Sequence, residues 1–221
     1  MKLVKKTMIA AAVASTLIAG SAFAAGAQTG LVLGGNLGYG YAQNGTIKNG
    51  LEGSGNQSNG GLAGGVFVGY DYAISKMISV GVEADLQYAH NVAGGSGKYD
   101  YFVADGASSY RTNVFSLPLF LTAKFYVPGV NGLNVFGKFG YAYNRVTTVS
   151  SATDNLIGFN VNDSKLSQTT NLWRPVMAGG IGYQIDNVNI FAQYQYNFLR
   201  NGGNNSGYST FTGGVSYTLP M

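Results

Sequence analysis

The 221-residue chain has no cysteine, one histidine, four prolines and few charges. Without cysteine there is no disulfide staple and no thiolate chemistry. An exported protein of this kind must be held by backbone hydrogen bonds and packing. The single histidine, His90, makes a metal site thin. It also finds no serine in phase for a nucleophile–base pair with an orienting acid; it reads as a solvated loop residue. Charged residues are only 10% of the chain, against about 25% in soluble domains. Glycine (34) and tyrosine (16) are abundant instead. This composition fits neither a disordered chain nor an ordinary soluble enzyme. After the first two dozen residues no long apolar run and no helical period occurs.

Those first residues are a separate segment. Lys2, Lys5 and Lys6 make a basic start, an apolar stretch runs from Met8 to about Gly20, and Ala22-Phe23-Ala24 offers a small-x-small cleavage pattern. This is the form of a secretory signal peptide over 1–24, cut between Ala24 and Ala25. Ala25-Gly26-Ala27 is a less favoured alternative site. The stretch is short for a spanning helix of about 20 residues. Residues 25–221 then form one domain. Removing the three signal lysines leaves ten basic against nine acidic residues, a net +1. The basic pI is therefore largely a property of the signal, and no clustered basic face points to nucleic acid.

Period-two alternation dominates the rest. Over 78–88, Ile78, Val80, Val82, Ala84, Leu86 and Tyr88 fall on one face, and Ser79, Gly81, Glu83, Asp85 and Gln87 on the other. Over 188–197, Val188, Ile190, Ala192, Tyr194 and Tyr196 alternate with Asn189, Phe191, Gln193, Gln195 and Asn197. Noisier versions cover 31–43, 62–73, 113–126, 133–144, 172–185 and 209–219. The eight predicted strands are an even number, as a closed antiparallel barrel requires. Short turns near Ser75, Pro128-Gly129 and Asp186-Asn187 alternate with longer Gly-, Asn- and Ser-rich connections expected as loops over 44–61, 89–112 and 145–171, and a shorter one over 201–207.

The apolar faces sort their aromatics by height. Toward the long loops lie Tyr39, Tyr41, Tyr88, Phe115, Tyr141, Tyr143, Trp173, Tyr194, Tyr196 and Phe211. Toward the short turns lie Tyr70, Tyr72, Phe125, Tyr183 and Tyr217. Val, Leu, Ile, Ala and Gly lie between. Two aromatic girdles around an aliphatic band describe a surface facing lipid and its two interfaces. The expected fold is all-β: an eight-stranded antiparallel up-and-down transmembrane β-barrel. The opposite face carries Asn, Gln, Ser, Thr and many glycines, with Phe67, Phe120, Phe136 and Phe191 among them. A small barrel's interior is filled by side chains, so these rings are expected to occupy space left by facing glycines.

With this pattern the chain resembles the small eight-stranded outer-membrane barrels, the OmpA-like transmembrane domains and opacity-protein-like adhesins. At its C-terminus, Thr212, Gly214, Tyr217 and Leu219 resemble the β-signal read by the barrel assembly machinery: polar, x, Gly, two residues, aromatic, x, apolar. The chain departs from the family by ending Pro220-Met221 rather than at an aromatic residue. No peptidoglycan-binding domain follows, so a cell-wall tether is not expected. The resemblance implies the outer membrane of a Gram-negative bacterium, with long loops extracellular, and lipid and lipopolysaccharide as surroundings.

Five charges are read on the inner face: Glu83, Asp85, Lys124, Lys138 and Arg174. Pairing is the default for buried charge. Glu83 is expected to pair with Lys138 or Lys124, and Asp85 to reach Arg174, as a fixed structural plug or as a gate. The leading function is a non-enzymatic barrel, with no cofactor, serving envelope integrity or surface interaction and adhesion through its loops, whose ligand is a host or envelope surface. A narrow pore for ions or small solutes and a soluble lipocalin-like carrier are the alternatives.

Overall fold

A computed structural model describes residues 26–43, 57–58, 60–101, 104–156, 159–199 and 207–221. The expected signal segment, most of 44–61 and most of 201–207 lie outside the described residues.

Eight long strands follow one another: β1 (Gly30–Gln43), β2 (Gly61–Ala73), β3 (Ile78–Tyr101), β4 (Ala104–Tyr126), β5 (Leu133–Leu156), β6 (Phe159–Ile185), β7 (Val188–Phe198) and β8 (Gly207–Pro220). Each pairs antiparallel with its neighbours in sequence. β8 also pairs with β1, from Gly30↔Pro220 to Gln43↔Gly207. The sheet is therefore a closed ring without an edge at membrane height. Outside this ring the two-residue segment Gln57–Ser58 pairs with Gly94 and Gly95 of β3.

The alternation in the sequence becomes an inside-out molecule. Leu37, Leu62 and Leu121 are 62%, 62% and 67% exposed on the outer wall. Glu83, Lys138, Asn144 and Gln195 are buried inside it. A soluble carrier would bury the aliphatic set and expose the amides. No charged side chain stands on the described outer wall of the strands until Arg145 and Arg111, beyond the aromatic girdle at the loop end.

The three short turns lie where the sequence places them. In the first, the Met77 and Ile78 N–H groups donate to Ser75 Oγ, each at 3.2 Å. Gly129 and Gly132 take φ of 83° and 85°, and Asp186 takes 52°, a region that Gly and Asp tolerate.

At the opposite end the expected loops are mostly strand. β3 runs 24 residues, β4 23, β5 24 and β6 27, where about 9–11 cross a bilayer. Most of 89–112 and 145–171 is thus paired as two long hairpins, joined to each other through β4 and β5. Outside the membrane neither face of a sheet must be apolar, so the period-two signal vanishes while the ladder continues. Hydroxyl pairs join neighbouring strands there: Ser109–Ser151 at 2.8 Å, Thr112–Thr148 at 3.1 Å and Thr147–Thr169 at 3.4 Å. Thr and Val in these segments suit strands.

Where β3 leaves the barrel, its pairing with β4 slips between Ala89 and Ala93. Asn91 takes φ 53° there, and its N–H donates to Asn113 Oδ1 at 2.9 Å. This bulge leaves His90 exposed, its ring 6.4 Å from that of Tyr88. It also brings Val92 fully inside.

Ring closure depends on close approach at the β1–β8 seam. A Cβ on Gly38 would lie 1.9 Å from the Phe211 carbonyl oxygen and 2.6 Å from Thr212 Cα. Gly38→Val is expected to destabilise the barrel by about 1–3 kcal/mol or more through overpacking. The check is a loss of the heat-resistant, fast-migrating form in unboiled gels.

Candidate functional site

The lumen is filled in layers, built by side chains at alternate positions of every strand. Nearest the short turns, Tyr126 Oη donates to Gln184 Oε1 at 2.6 Å, and Asn134 Nδ2 donates to Asn189 Oδ1 at 2.9 Å. Just above, Lys124 Nζ bonds Asp71 Oδ2 at 2.5 Å. The next layer holds Lys138 and Glu83 in a direct, buried ion pair. The Lys138 ammonium lies 5.1 Å from the ring centre of Phe67, 5.4 Å from Phe136, 5.8 Å from Phe120 and 6.0 Å from Phe191. Four ring faces and one carboxylate thus surround one cation, a favourable setting for cation–π attraction.

Glycine makes room for the rings. A Cβ on Gly34 would lie 2.3 Å from the Phe67 ring, one on Gly180 2.6 Å from Phe136, and one on Gly214 2.4 Å from Phe191. Phe67 and Phe136 each meet Phe191 edge-on, with centroids 5.9 Å apart. Each ring lies over the glycine paired with it on the neighbouring strand: Phe67 over Gly34, Phe136 over Gly180 and Phe191 over Gly214.

Higher still, amides take over. Gln87 Nε2 donates to Asp85 Oδ2 and to Gln195 Oε1, both at 2.9 Å, and Gln195 Nε2 returns to Gln87 Oε1 at 2.8 Å. At the loop-side mouth the lining turns apolar: Ala63, Ala89, Val92, Val114, Leu199 and Tyr208 form a buried cluster, with Val146 and Leu172 against it. Two small cavities, one beside Gln87 and Tyr208 and one beside Lys138 and Phe191, measure about 10 Å³ each. That is room for about one water.

The five charges read from the sequence are distributed as follows. Glu83 takes Lys138. Lys124 takes Asp71 instead, a residue the inward count omits. The phase of β2 is the signal for Asp71, since it alternates with the exposed Tyr70 and Tyr72. Asp85 and Arg174 do not meet. Asp85 bonds Gln87 on its own strand, and Arg174 Nη1 donates to the Trp173 carbonyl at 3.4 Å. The reason is their separation around the ring. Arg174 stands opposite Ala142, beyond the last β6–β7 pair. Asp85 lies on β3, opposite Phe67 of β2, three strands away from β6 around the ring. Thr212, Gly214, Tyr217 and Leu219 all lie on β8, opposite Gly38, Asn36, Leu33 and Leu31 of β1, along the seam that closes the ring. His90 has no metal-binding company: among the described residues no group of three His, Cys, Asp or Glu converges.

A closed ring of eight strands, with a lipid-exposed aliphatic wall and a polar, filled interior, defines an integral outer-membrane β-barrel. The chain belongs to the outer membrane protein β-barrel domain family, whose model matches residues 9–218. Solved structures similar to it include the attachment invasion locus protein Ail of Yersinia pestis, at 14% identity over 88% of this chain and 99% of that one, TM-score 0.43. Neisserial surface protein A matches at 14% identity over 86% and 97%, TM-score 0.42. The N-terminal barrel domain of Pseudomonas aeruginosa OprF matches at 14% over 87% and 99%, TM-score 0.43. No curated protein matches the chain.

The buried pair sets a sharp expectation. Glu83→Gln or Lys138→Met alone strands the opposite charge among phenyl rings and lowers stability by about 3–5 kcal/mol, whereas the double variant recovers most of it. Denaturant midpoints of the refolded barrels read this out. In planar bilayers Glu83→Gln is expected to conduct no more than wild type, because the apolar mouth is untouched. A reproducible rise in conductance would instead identify the pair as a gate.

Proposed function

We propose that this protein is a non-enzymatic surface-interaction barrel whose long loops lie outside the cell and present a binding sheet. The observation that carries this reading is the four-stranded extension of β3 to β6. A barrel needed only for envelope integrity requires no such structure. A pore requires an open lumen, and the ion pairs, phenyl rings and apolar mouth argue against one.

The extension is also asymmetric. β7 pairs with β6 only from Val176 to Ile185. Upstream, residues 159–175 of β6 pair with β5 alone among the described residues. The far edge of that strand offers backbone donors and acceptors to an extended segment of a partner, the mode of recognition by strand addition. The β-signal residues Thr212, Gly214, Tyr217 and Leu219 fit recognition by the barrel assembly machinery as the final strand docks.

Excising 96–109 and 151–165, each replaced by Asn-Gly, trims the hairpins at matched rungs, since Ser109 pairs with both Ser96 and Ser151 and Ser151 with Lys165. The trimmed barrel is expected to keep its heat-dependent gel shift. Bacteria displaying it should lose adherence to epithelial monolayers relative to those displaying the full chain. Equal adherence would remove the adhesion role.

A further inference from the structure

The outer wall changes character at one height, on three adjacent strands. Leu117, Tyr143 and Trp173 are aligned side by side across β4, β5 and β6, and the Tyr143 and Trp173 rings lie 5.5 Å apart. One rung nearer the loops, Phe115, Arg145 and Asn171 are aligned. The next outward rung holds Asn113, Thr147 and Thr169, and the one after it Arg111, Val149 and Ser167. Both arginines are exposed. Neither has an ion-pair partner among the described residues. The outward segments 109–115, 141–151 and 166–173 contain two arginines and no carboxylate.

We propose that Arg111 and Arg145 form a binding site for a phosphorylated outer-leaflet glycolipid carrying more than one phosphate, of the lipopolysaccharide type. The site rests on the reading that the long loops face the cell exterior.

Position, charge and spacing each support the assignment. Aromatic girdles lie at headgroup height, so Arg145, immediately beyond Tyr143 and Trp173, stands where lipid phosphates lie. An unpaired guanidinium on a wall without carboxylates carries uncompensated positive charge, and its planar fork fits phosphate in bidentate fashion. Arg145 faces Phe115, four residues along β4 from Arg111, so the two guanidinium groups are rooted about 14 Å apart by the rise of a strand and the spacing between strands. That separation suits two phosphates on one large headgroup better than the single phosphate of an ordinary phospholipid. Asn113, Thr147 and Thr169 lie on the intervening rung and Asn171 beside Arg145, where amides and hydroxyls suit sugar hydroxyl groups. Below them the girdle and aliphatic wall accept the acyl chains.

The test uses the full barrel purified in detergent, with diphosphoryl lipid A and the same lipid stripped of both phosphates as probes, read by native mass spectrometry. Wild type is expected to prefer the diphosphoryl form. R111Q/R145Q is expected to bind it about thirtyfold more weakly, at roughly fivefold per interfacial charge, with the stripped lipid bound equally by both. R111K/R145K, which keeps charge but loses the fork, falls between. An unchanged gel shift confirms that each variant is folded. Equal diphosphoryl binding by wild type and R111Q/R145Q overturns the site. Orientation is read separately: the chain has no cysteine, so Ser109→Cys gives one thiol for a membrane-impermeant maleimide on intact cells. Labelling supports the outer-leaflet assignment. Absence of labelling with lipid A binding intact overturns the orientation, and with it the outer-leaflet assignment, while leaving the arginine pair as a phosphate site.

Discussion

Closure of the backbone ladder is the constraint on which everything else depends. In hydrocarbon an unpaired N–H or C=O finds no water, so a sheet is stable there only when its last strand returns to its first. Here β8 does so along fourteen rungs of β1. Once the ring is closed, each side chain has one of two environments. Outward positions meet lipid and become aliphatic, with aromatics at the interfaces. Inward positions meet one another across a narrow lumen, and polar groups there must find partners.

The lumen shows how such a partnership is reached without an apolar core. Four of the charges pair, Lys124 with Asp71 and Lys138 with Glu83, Asp85 is held by the Gln87 amide, and amides chain together above them. Phenyl rings fill the remaining volume where the paired position on the neighbouring strand is glycine rather than bulk. The rings also make the surroundings of Lys138 less polar, which strengthens its attraction to Glu83 and raises the penalty for losing either member. Rigidity below thus supports a long sheet above. β4, β5 and β6 leave the membrane in the registers set by the barrel, and β3 rejoins them after its bulge at Asn91.

Much of this was legible in the sequence, for a physical reason. Lipid imposes an apolar requirement on every second residue, so the strands within the membrane carry period-two alternation, as in Ile78 to Tyr88. The packing of Phe67, Phe136 and Phe191 over glycines follows from the same phase. Beyond the girdle water accepts either face of a sheet, and Thr-, Ser- and Gly-rich strands there look like loops. Asp71 was equally readable, since it shares its face with Gly69 and Phe67, but a single charge in a Gly- and Tyr-rich strand is easily passed over.

The sequence by itself therefore determined the class of fold, the two walls and the location, because each follows from local alternation against a uniform solvent. Only the tertiary structure decided which charges meet. Lys124 goes to Asp71 rather than Glu83, and Arg174 misses Asp85, because pairing across a lumen depends on where strands distant in the chain stand around the ring. The same holds for the bulge at Asn91, which turns Val92 into the mouth, and for Arg111 and Arg145, separated by 34 positions in sequence and brought onto one wall by the β4–β5 ladder. Alternation fixes the face a residue occupies; only the closed ring fixes its neighbour.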